Sequence, residues 1–181
     1  MLTFPKRYAD TVARLRVPSG FLLVAAFAWF SQPSPASLAV GLPVGLLGLV
    51  LRAWAAGCLA KNQQLATSGP YAYTRNPLYL GTLLVAAGLA VASRSAGLGL
   101  LFAAVFGLVY LPVIQLEEQH LRSLFPVYPE YAARVPALWP RWSGGSAGGS
   151  FRWALYVKNQ EYQAGAGLAV GVALLVWKAL R

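Results

Sequence analysis

The sequence predicts an all-α fold: a polytopic transmembrane helical bundle of about five spans, with a cytoplasmic helical segment between spans four and five. Three observations carry that prediction. Apolar residue types make up 57% of the 181-residue chain and charged ones only 11%, whereas a soluble domain is about a quarter charged. The apolar residues fall in long runs separated by polar junctions rich in Gly and Pro. The formal net charge of +10 gathers at the ends of those runs, where basic residues set topology and meet anionic headgroups of the membrane lipids. Basic residues so placed do not describe a nucleic-acid surface, and no nucleic-acid partner is expected.

A spanning helix needs roughly twenty mainly apolar residues. The first run is Val17–Phe30, which reaches that length only by extending back toward Thr11. Lys6, Arg7, Arg14 and Arg16 precede it, and it ends in SQPSP without a small-x-small cleavage site. It therefore reads as a retained span and not a removed leader. The second run, Ser37–Ala60, contains Pro43 and carries Arg52 about two turns from its end. Charge inside a membrane is costly and marks a function or a polar partner, unless the side chain snorkels to the headgroups.

The third run, Pro77–Ser93, and the fourth, Ser95–Leu116, are joined by a tight turn at Arg94, which makes them an antiparallel hairpin. Glu117–Phe125 is expected to continue the fourth helix beyond the bilayer until Pro126 and Pro129 interrupt it. Glu130–Val135 follows as a short helix, closed by Pro136 and Pro140. Ser143 to Ser150, SGGSAGGS, has the composition of a flexible linker. Phe151–Tyr162, with Trp153, Tyr156 and Lys158, suits a membrane interface. The fifth run, Ala164–Leu180, contains Gly165, Gly167 and Gly171, small residues that let membrane helices approach closely.

If the spans alternate, the basic residues divide unequally. Lys6, Arg7, Arg14, Arg16, Lys61, Arg75, Arg122, Arg134, Arg141, Arg152 and Lys158 fall on one side, and Arg94, Lys178 and Arg181 on the other. The positive-inside rule then places the N-terminus and the junctions around residues 67–81 and 117–118 in the cytoplasm. The composition, rich in Ala, Gly and Leu with short loops, suggests an integral protein of a prokaryotic inner membrane. The single cysteine, Cys58, allows no internal disulfide and supplies no metal-ligand set. Oligomeric state is not legible.

The chemistry concentrates in Thr67–Gly81, TSGPYAYTRNPLYLG. Gly69–Pro70 is a turn signal, and Gln63, Gln64, Thr67 and Ser68 before it offer hydrogen-bonding side chains. Pro77 suits a first helical turn, which puts Asn76 near the N-cap. Tyr71, Tyr73 and Tyr79 fit an aromatic belt. A belt alone does not explain Arg75–Asn76, or Gly81, where a small residue admits another backbone or a ligand. Glu117 and Glu118 end the next apolar hairpin, and His120 lies one turn after Glu117 on the same face. Set opposite Arg75, the two carboxylates are candidates for gripping a polar, partly cationic ligand. The sequence contains no metal-binding spacing, no nucleophile–His–acid set and no Rossmann glycine pattern.

These residues, followed by Tyr128, Tyr131 and Arg134-Val135-Pro136, resemble the isoprenylcysteine carboxyl methyltransferase family, within a wider group of membrane methyltransferases that includes the phospholipid methyltransferases. The resemblance covers roughly Gln63 to Pro140, less than half of the chain. It implies S-adenosylmethionine bound in a cytoplasm-facing pocket. By position it assigns cofactor contacts to Gln63, Gln64, Leu65, Ala66, Tyr71, Asn76, Pro77, Leu78, Tyr79 and Glu117. Arg75, Glu118 and His120 are the candidate catalytic residues. Residues 63–142 would form the catalytic core with spans three and four. Residues 1–62 supply spans one and two, and residues 143–181 the linker, interfacial segment and span five.

The chain departs from the family pattern at two positions. Asn76 stands where the family has His, and Asn cannot titrate near neutrality. An apolar residue, about Val113, stands where the prenylcysteine enzymes carry an Arg for the substrate carboxylate. The expected activity is methyl transfer to a lipophilic acceptor, a lipid or small molecule with a carboxylate, thiol or amine headgroup. The alternatives are a membrane reductase using NADPH and resembling the sterol reductases, and a non-catalytic membrane scaffold.

Overall fold

Small residues decide which helices meet at the centre. The computed structural model describes residues 4–141, 148 and 150–181, with the backbone alone at Arg16 and Val17. Among these residues every regular element is helical. The elements are α1 (Lys6–Phe30), α2 (Pro35–Cys58), α3 (Pro77–Ser93), α4 (Ala96–Val105), α5 (Leu111–Leu124), α6 (Tyr128–Arg134), α7 (Trp153–Lys158) and α8 (Tyr162–Ala179). A π-helical turn, Phe106–Tyr110, joins α4 to α5.

α2, the continuous Ala96–Leu124 helix and α8 are each long and apolar enough to cross a membrane. α1 passes the same test as a bent pair, its halves inclined by 55° around Arg16–Val17. Pro18 lies inside it and removes a helical hydrogen bond. α3 is apolar but only 17 residues long, at the lower limit of about 17 residues for a span. Length and composition thus give three spans, or four with α1, where the sequence suggested five. Phe21, Leu22, Trp29, Leu100 and Val170 all point outward and are exposed. That is the arrangement of a surface whose solvent is lipid.

α2 and α3 lie backbone against backbone. Gly41, Gly45 and Gly48 of α2 recur at helical spacing and face Gly81, Gly88 and Ala92 of α3. A Cβ on Gly48 would stand 2.6 Å from the Gly81 carbonyl oxygen, and one on Gly88 would stand 2.7 Å from the Gly41 carbonyl oxygen. No L side chain fits there without moving a helix. Gly81 therefore admits the α2 backbone and the stem of Arg52, not a ligand. The close approach expected at the glycines of α8 is absent: nothing lies within 4 Å of a Cβ at Gly167, and the nearest neighbours of Gly165 and Gly171 are leucine tips at 4.0 and 3.7 Å.

The helix ends sort into two groups. At one end the Gln32 N–H donates to the Ser93 carbonyl at 2.8 Å, and Lys178 Nζ donates to the Ala28 carbonyl at 2.9 Å. Phe27, Ala92, Leu98 and Leu175 form a small core there. Arg94 makes the tight turn into α4 in the left-handed region, φ 53°, and Ser95 caps α4 through the Leu98 N–H. At the other end Arg52 is not snorkelling. Its guanidinium pairs with Glu161, just before α8, with Nη2 to Oε2 at 2.9 Å, and it also donates to Thr82 and to the Leu78 carbonyl. One partly buried ion pair thereby joins α2, α3 and the start of α8.

The fourth apolar run is one continuous helix with a π-helical turn inside it. Pro112 has no N–H to give the Leu108 carbonyl. The π-helical turn falls there, and Tyr8 Oη of α1 donates to that carbonyl at 2.7 Å. The Gln115 side chain then clamps the Phe4 backbone from both sides, at 2.7 and 3.0 Å. α1 is thereby fixed against α5. α6 begins at Tyr128, earlier than Glu130, because Pro129 occupies its first turn and initiates the helix instead of interrupting it.

Candidate functional site

The site is built where the chain leaves α2 and re-enters at α3. Gly69 adopts φ +62°, and a Cβ there would also meet Cys58 Sγ at 3.0 Å, so both backbone and space require glycine. The following turn, Gly69–Ala72, is buried. Its Tyr71 carbonyl accepts from Tyr131 Oη of α6 at 2.7 Å.

Thr74, Arg75 and Asn76 then bind the segment that follows α6. Thr74 Oγ1 donates to the Ala137 and Leu138 carbonyls, and the Arg75 N–H to the Pro136 carbonyl. Arg75 Nη1 donates to the Ala132 and Val135 carbonyls at 2.7 and 2.8 Å, while Nε and Nη2 lie 2.9 and 2.8 Å from Glu118 Oε1. Asn76 is the N-cap residue of α3, yet its side chain makes no cap bond. Its Nδ2 instead donates to the Ala137 carbonyl at 2.9 Å and, weakly, to Glu118 at 3.4 Å.

Above this clamp lies a cavity of about 470 Å³, inside the range of about 300–1,000 Å³ typical of small-molecule sites. Gln64, Leu65, Ala66, Tyr71, Arg75, Asn76, Pro77, Leu78, Tyr79, Glu117 and His120 all line it. Gln63 and Glu118 do not: Gln63 is exposed in the turn after α2, and Glu118 is buried behind Arg75. Arg52 lies outside the cavity as well. Gln64, Leu65 and Ala66 also wall a second, polar cavity of about 290 Å³ that includes Cys58, Thr67, Ser68 and Arg152.

Sequence reasoning missed part of the lining. Val113, Leu116 and Leu121 join Glu117 and His120 on one face of α5, and their spacing of three and four residues was a usable signal. Lys61 and Asn62 carried no such signal. Nor did Ala13, which reaches the cavity only because α1 docks on α5.

Glu117 accepts from Tyr79 Oη at 2.7 Å through Oε1. Tyr79 packs edge-on against Tyr110, which stacks on Phe106 of the π-helical turn. Burial pushes the Tyr71 phenol well above its ordinary pKa. Burial, then the Glu118 carboxylate, pushes Tyr128 up to about 12 against the pull of Arg75. Burial raises Tyr131 too. The Tyr71 hydroxyl has no hydrogen-bond partner among the described residues, while the Tyr128 phenol lies against the Glu118 carboxylate. A carboxylate, an imidazole, the buried Tyr71 phenol, Lys61 at the rim and an apolar wall suit a ligand that carries both charge signs, a polar uncharged part and a lipophilic part. The residues present would fit S-adenosylmethionine, with its sulfonium, its amino acid and its uncharged nucleoside.

The phospholipid methyltransferase family profile matches residues 36–127. Two curated relatives are the cobalt-zinc-cadmium resistance protein CzcN of Cupriavidus metallidurans and the nickel-cobalt-cadmium resistance protein NccN of Alcaligenes xylosoxydans xylosoxydans. The first is 38% identical over 128 residues, 70% of this chain and 58% of that protein. The second is 34% identical over 135 residues, 71% of this chain and 63% of that protein. The chain thus spans less than two thirds of the length of either. No solved structure matches at a significant level. The family match lends no support to the reductase alternative. The chain belongs to the phospholipid methyltransferase family, among the membrane methyltransferases related to the isoprenylcysteine carboxyl enzymes.

Proposed function

We propose that this family member is an integral-membrane methyltransferase that takes S-adenosylmethionine and methylates a lipophilic acceptor with a carboxylate, thiol or amine headgroup. The observation that supports the reading most is convergence: eleven of the thirteen candidate residues border one cavity, all but Gln63 and Glu118. S-adenosylmethionine supplies an electrophilic methyl group on a sulfonium. The chain's own contribution is then positioning and exclusion of water.

Glu117, oriented by Tyr79, places negative charge beside the cationic part of the ligand, with Oε2 available to it. Val113, Leu116 and Leu121 offer an apolar wall for the acceptor, and the absence of a cation at Val113 disfavours a prenylcysteine carboxylate. Where the acceptor is an amine, His120 is placed to take up its proton. Glu118 is less suited to that task because Arg75 and Asn76 already engage Oε1. We place the cavity on the cytoplasmic face of a prokaryotic inner membrane, on the basic-residue asymmetry. The resistance to cobalt, zinc, nickel and cadmium named for the relatives would, on this reading, be served through a methylated lipophilic product.

Calorimetry of the full chain in detergent tests the proposal. S-adenosylmethionine should bind, and Glu117→Ala should weaken binding about tenfold, the loss expected for one hydrogen bond to a charged group. Transfer of radiolabelled methyl to extracted membrane lipids should follow. Absence of cofactor binding by the unaltered chain would sink the reading.

A further inference from the structure

Where the chain returns to the end of α2, it brings a guanidinium that no carboxylate meets. The last backbone carbonyls of a helix lack a helical partner, and at the end of α2 the C-terminal segment serves three. Asn159 Nδ2 donates to the Ala56 and Leu59 carbonyls, both at 2.9 Å, and the Arg152 N–H donates to the Gly57 carbonyl at 2.9 Å. A Cβ on Gly57 would collide with the Phe151 ring, so glycine lets that ring seat against α2. Arg152 is thereby fixed through its backbone at the end of a span, while the residue itself stays exposed. The ion pairs among the described residues are Arg52–Glu161 and Arg75–Glu118, and Arg152 belongs to neither.

Arg152 borders the polar cavity of about 290 Å³, which Gln64, Thr67, Ser68 and Ser150 line as well and no Asp or Glu does. A cation, three hydroxyls and an amide without a carboxylate favour an anion, and the planar fork of arginine matches the oxygens of a phosphate. The carbonyl end of α2 would oppose an anion, but the Ala56, Gly57 and Leu59 carbonyls are engaged. The neighbouring surface is apolar. Trp153 stacks on Tyr156 with ring centroids 4.8 Å apart, and Phe151 packs against both. Trp153 is nonetheless 67% exposed and Phe151 44%. An aromatic cluster at the end of a membrane span belongs at headgroup depth. A free anion has no use for such a cluster, whereas a phosphate that carries acyl chains does.

We propose that Arg152, with Thr67, Ser68 and Ser150, forms a site for the phosphate of an anionic membrane phospholipid, whose glycerol and upper chains rest on the Phe151–Trp153–Tyr156 cluster. A zwitterionic headgroup is disfavoured, because it would bring a second cation beside Arg152. The lipid is a bound component and not the methyl acceptor: the shared wall of Gln64, Leu65 and Ala66 parts this cavity from the one that holds Glu117 and His120. Ser150, Arg152 and the aromatic cluster all lie beyond residue 127, where the family match ends.

The test uses the full chain in detergent, stripped of lipid. It is titrated with phosphatidylglycerol and with phosphatidylcholine of the same chains, and bound lipid is counted by native mass spectrometry. Inorganic phosphate and S-adenosylmethionine are titrated in parallel by calorimetry. Phosphatidylglycerol should bind the more tightly of the two lipids. Arg152→Gln should weaken it about tenfold, the loss expected for a hydrogen bond to a charged group, and Trp153→Ala should weaken it too. Arg14→Gln, which removes an exposed charge from α1, should leave it unchanged. The lipid-free unfolding midpoint should stay level in Arg152→Gln, since no ion pair is lost. Thr67→Val, expected to cost about threefold, is the second variant should the first fold poorly. Equal losses in Arg152→Gln and Arg14→Gln would reduce the effect to net charge and overturn the proposal. Arg152-dependent binding of inorganic phosphate with no preference for phosphatidylglycerol would assign the cavity to a soluble anion. A loss in Arg152→Gln confined to S-adenosylmethionine would give the cavity to the methyl donor. Either result overturns the lipid site.

Discussion

Arg75 turns all three nitrogens of its guanidinium toward this protein's own oxygens. It holds the last carbonyls of α6 and the buried Glu118, so its work in the fold is to close the floor of the cavity. Both partners are about nine-tenths buried at the side chain, at 11% and 9% exposure. Removing one strands the other, which typically costs about 3–5 kcal/mol. Glu118→Ala should therefore lower thermal stability sharply, and a merely lost cofactor contact would leave the unfolding midpoint unmoved. Asn76 is a milder case. Its Nδ2 donates to the Ala137 carbonyl, which also accepts from Thr74. Asn76→Leu leaves that carbonyl served and should cost about 1 kcal/mol, the net worth of one hydrogen bond. Asn76→His should retain both stability and cofactor affinity, because an imidazole N–H can replace the amide donor. If Leu matches His in affinity, Asn76 matters to the fold alone. The sequence marked Arg75 and Asn76, since an aromatic belt alone needs no such pair, and gave no sign of Thr74. It could not show that Asn76 abandons the cap for the Ala137 carbonyl, because that partner lies 61 residues away.

Between elements, glycine carries the specificity. The α2–α3 contact has no side-chain layer at Gly41, Gly48, Gly81 and Gly88, so one methyl group there must displace a backbone. Gly48→Ala and Gly88→Ala should each destabilise by about 1–3 kcal/mol, the usual cost of overpacking. Gly167→Ala on α8 meets open space and should be neutral or stabilising by up to about 1 kcal/mol, the helix-propensity gain over Gly. Thermal unfolding of the three variants in one detergent checks the sign difference; equal effects at Gly48 and Gly167 would refute the packing argument. Element boundaries were largely legible: α3 spans the run read from the sequence, and α8 starts two residues earlier. The choice of packing glycines was not. All three helices carry small residues, and which face meets a neighbour is a tertiary fact. The π-helical turn was hidden for a related reason, because Pro112 announces a missing donor but not that Tyr8 will supply one.

Across the whole molecule, the two helix ends have different chemistry. The Arg52–Glu161 pair, Asn159 on the Ala56 and Leu59 carbonyls, and the Arg152 N–H on the Gly57 carbonyl all bind the C-terminal segment to the cavity end. The family match ends at residue 127, yet these later residues brace α2 and α3 where they support the site. That bracing was invisible in the sequence, where Arg52 and Glu161 are simply two charges far apart. The opposite end gathers Gln32, Ser93, Arg94 and Lys178, with few basic residues. Lys6, Arg7, Lys61, Arg75, Arg122, Arg134 and Arg152 lie toward the cavity end of their helices or in its loops. By the positive-inside rule this imbalance predicts a cytoplasmic cavity end. Single cysteines in a Cys58→Ala background test the orientation in right-side-out vesicles. Ala36→Cys and Ala96→Cys, both exposed at the far end, should react with a membrane-impermeant maleimide from outside. Gln63→Cys and Glu130→Cys, exposed near the cavity, should react only after permeabilisation. Labelling of Gln63→Cys from outside would invert the protein and remove the cavity from the cytoplasmic supply of methyl donor, while reaction of Ala36→Cys without Ala96→Cys would break the hairpin order of α1 to α4.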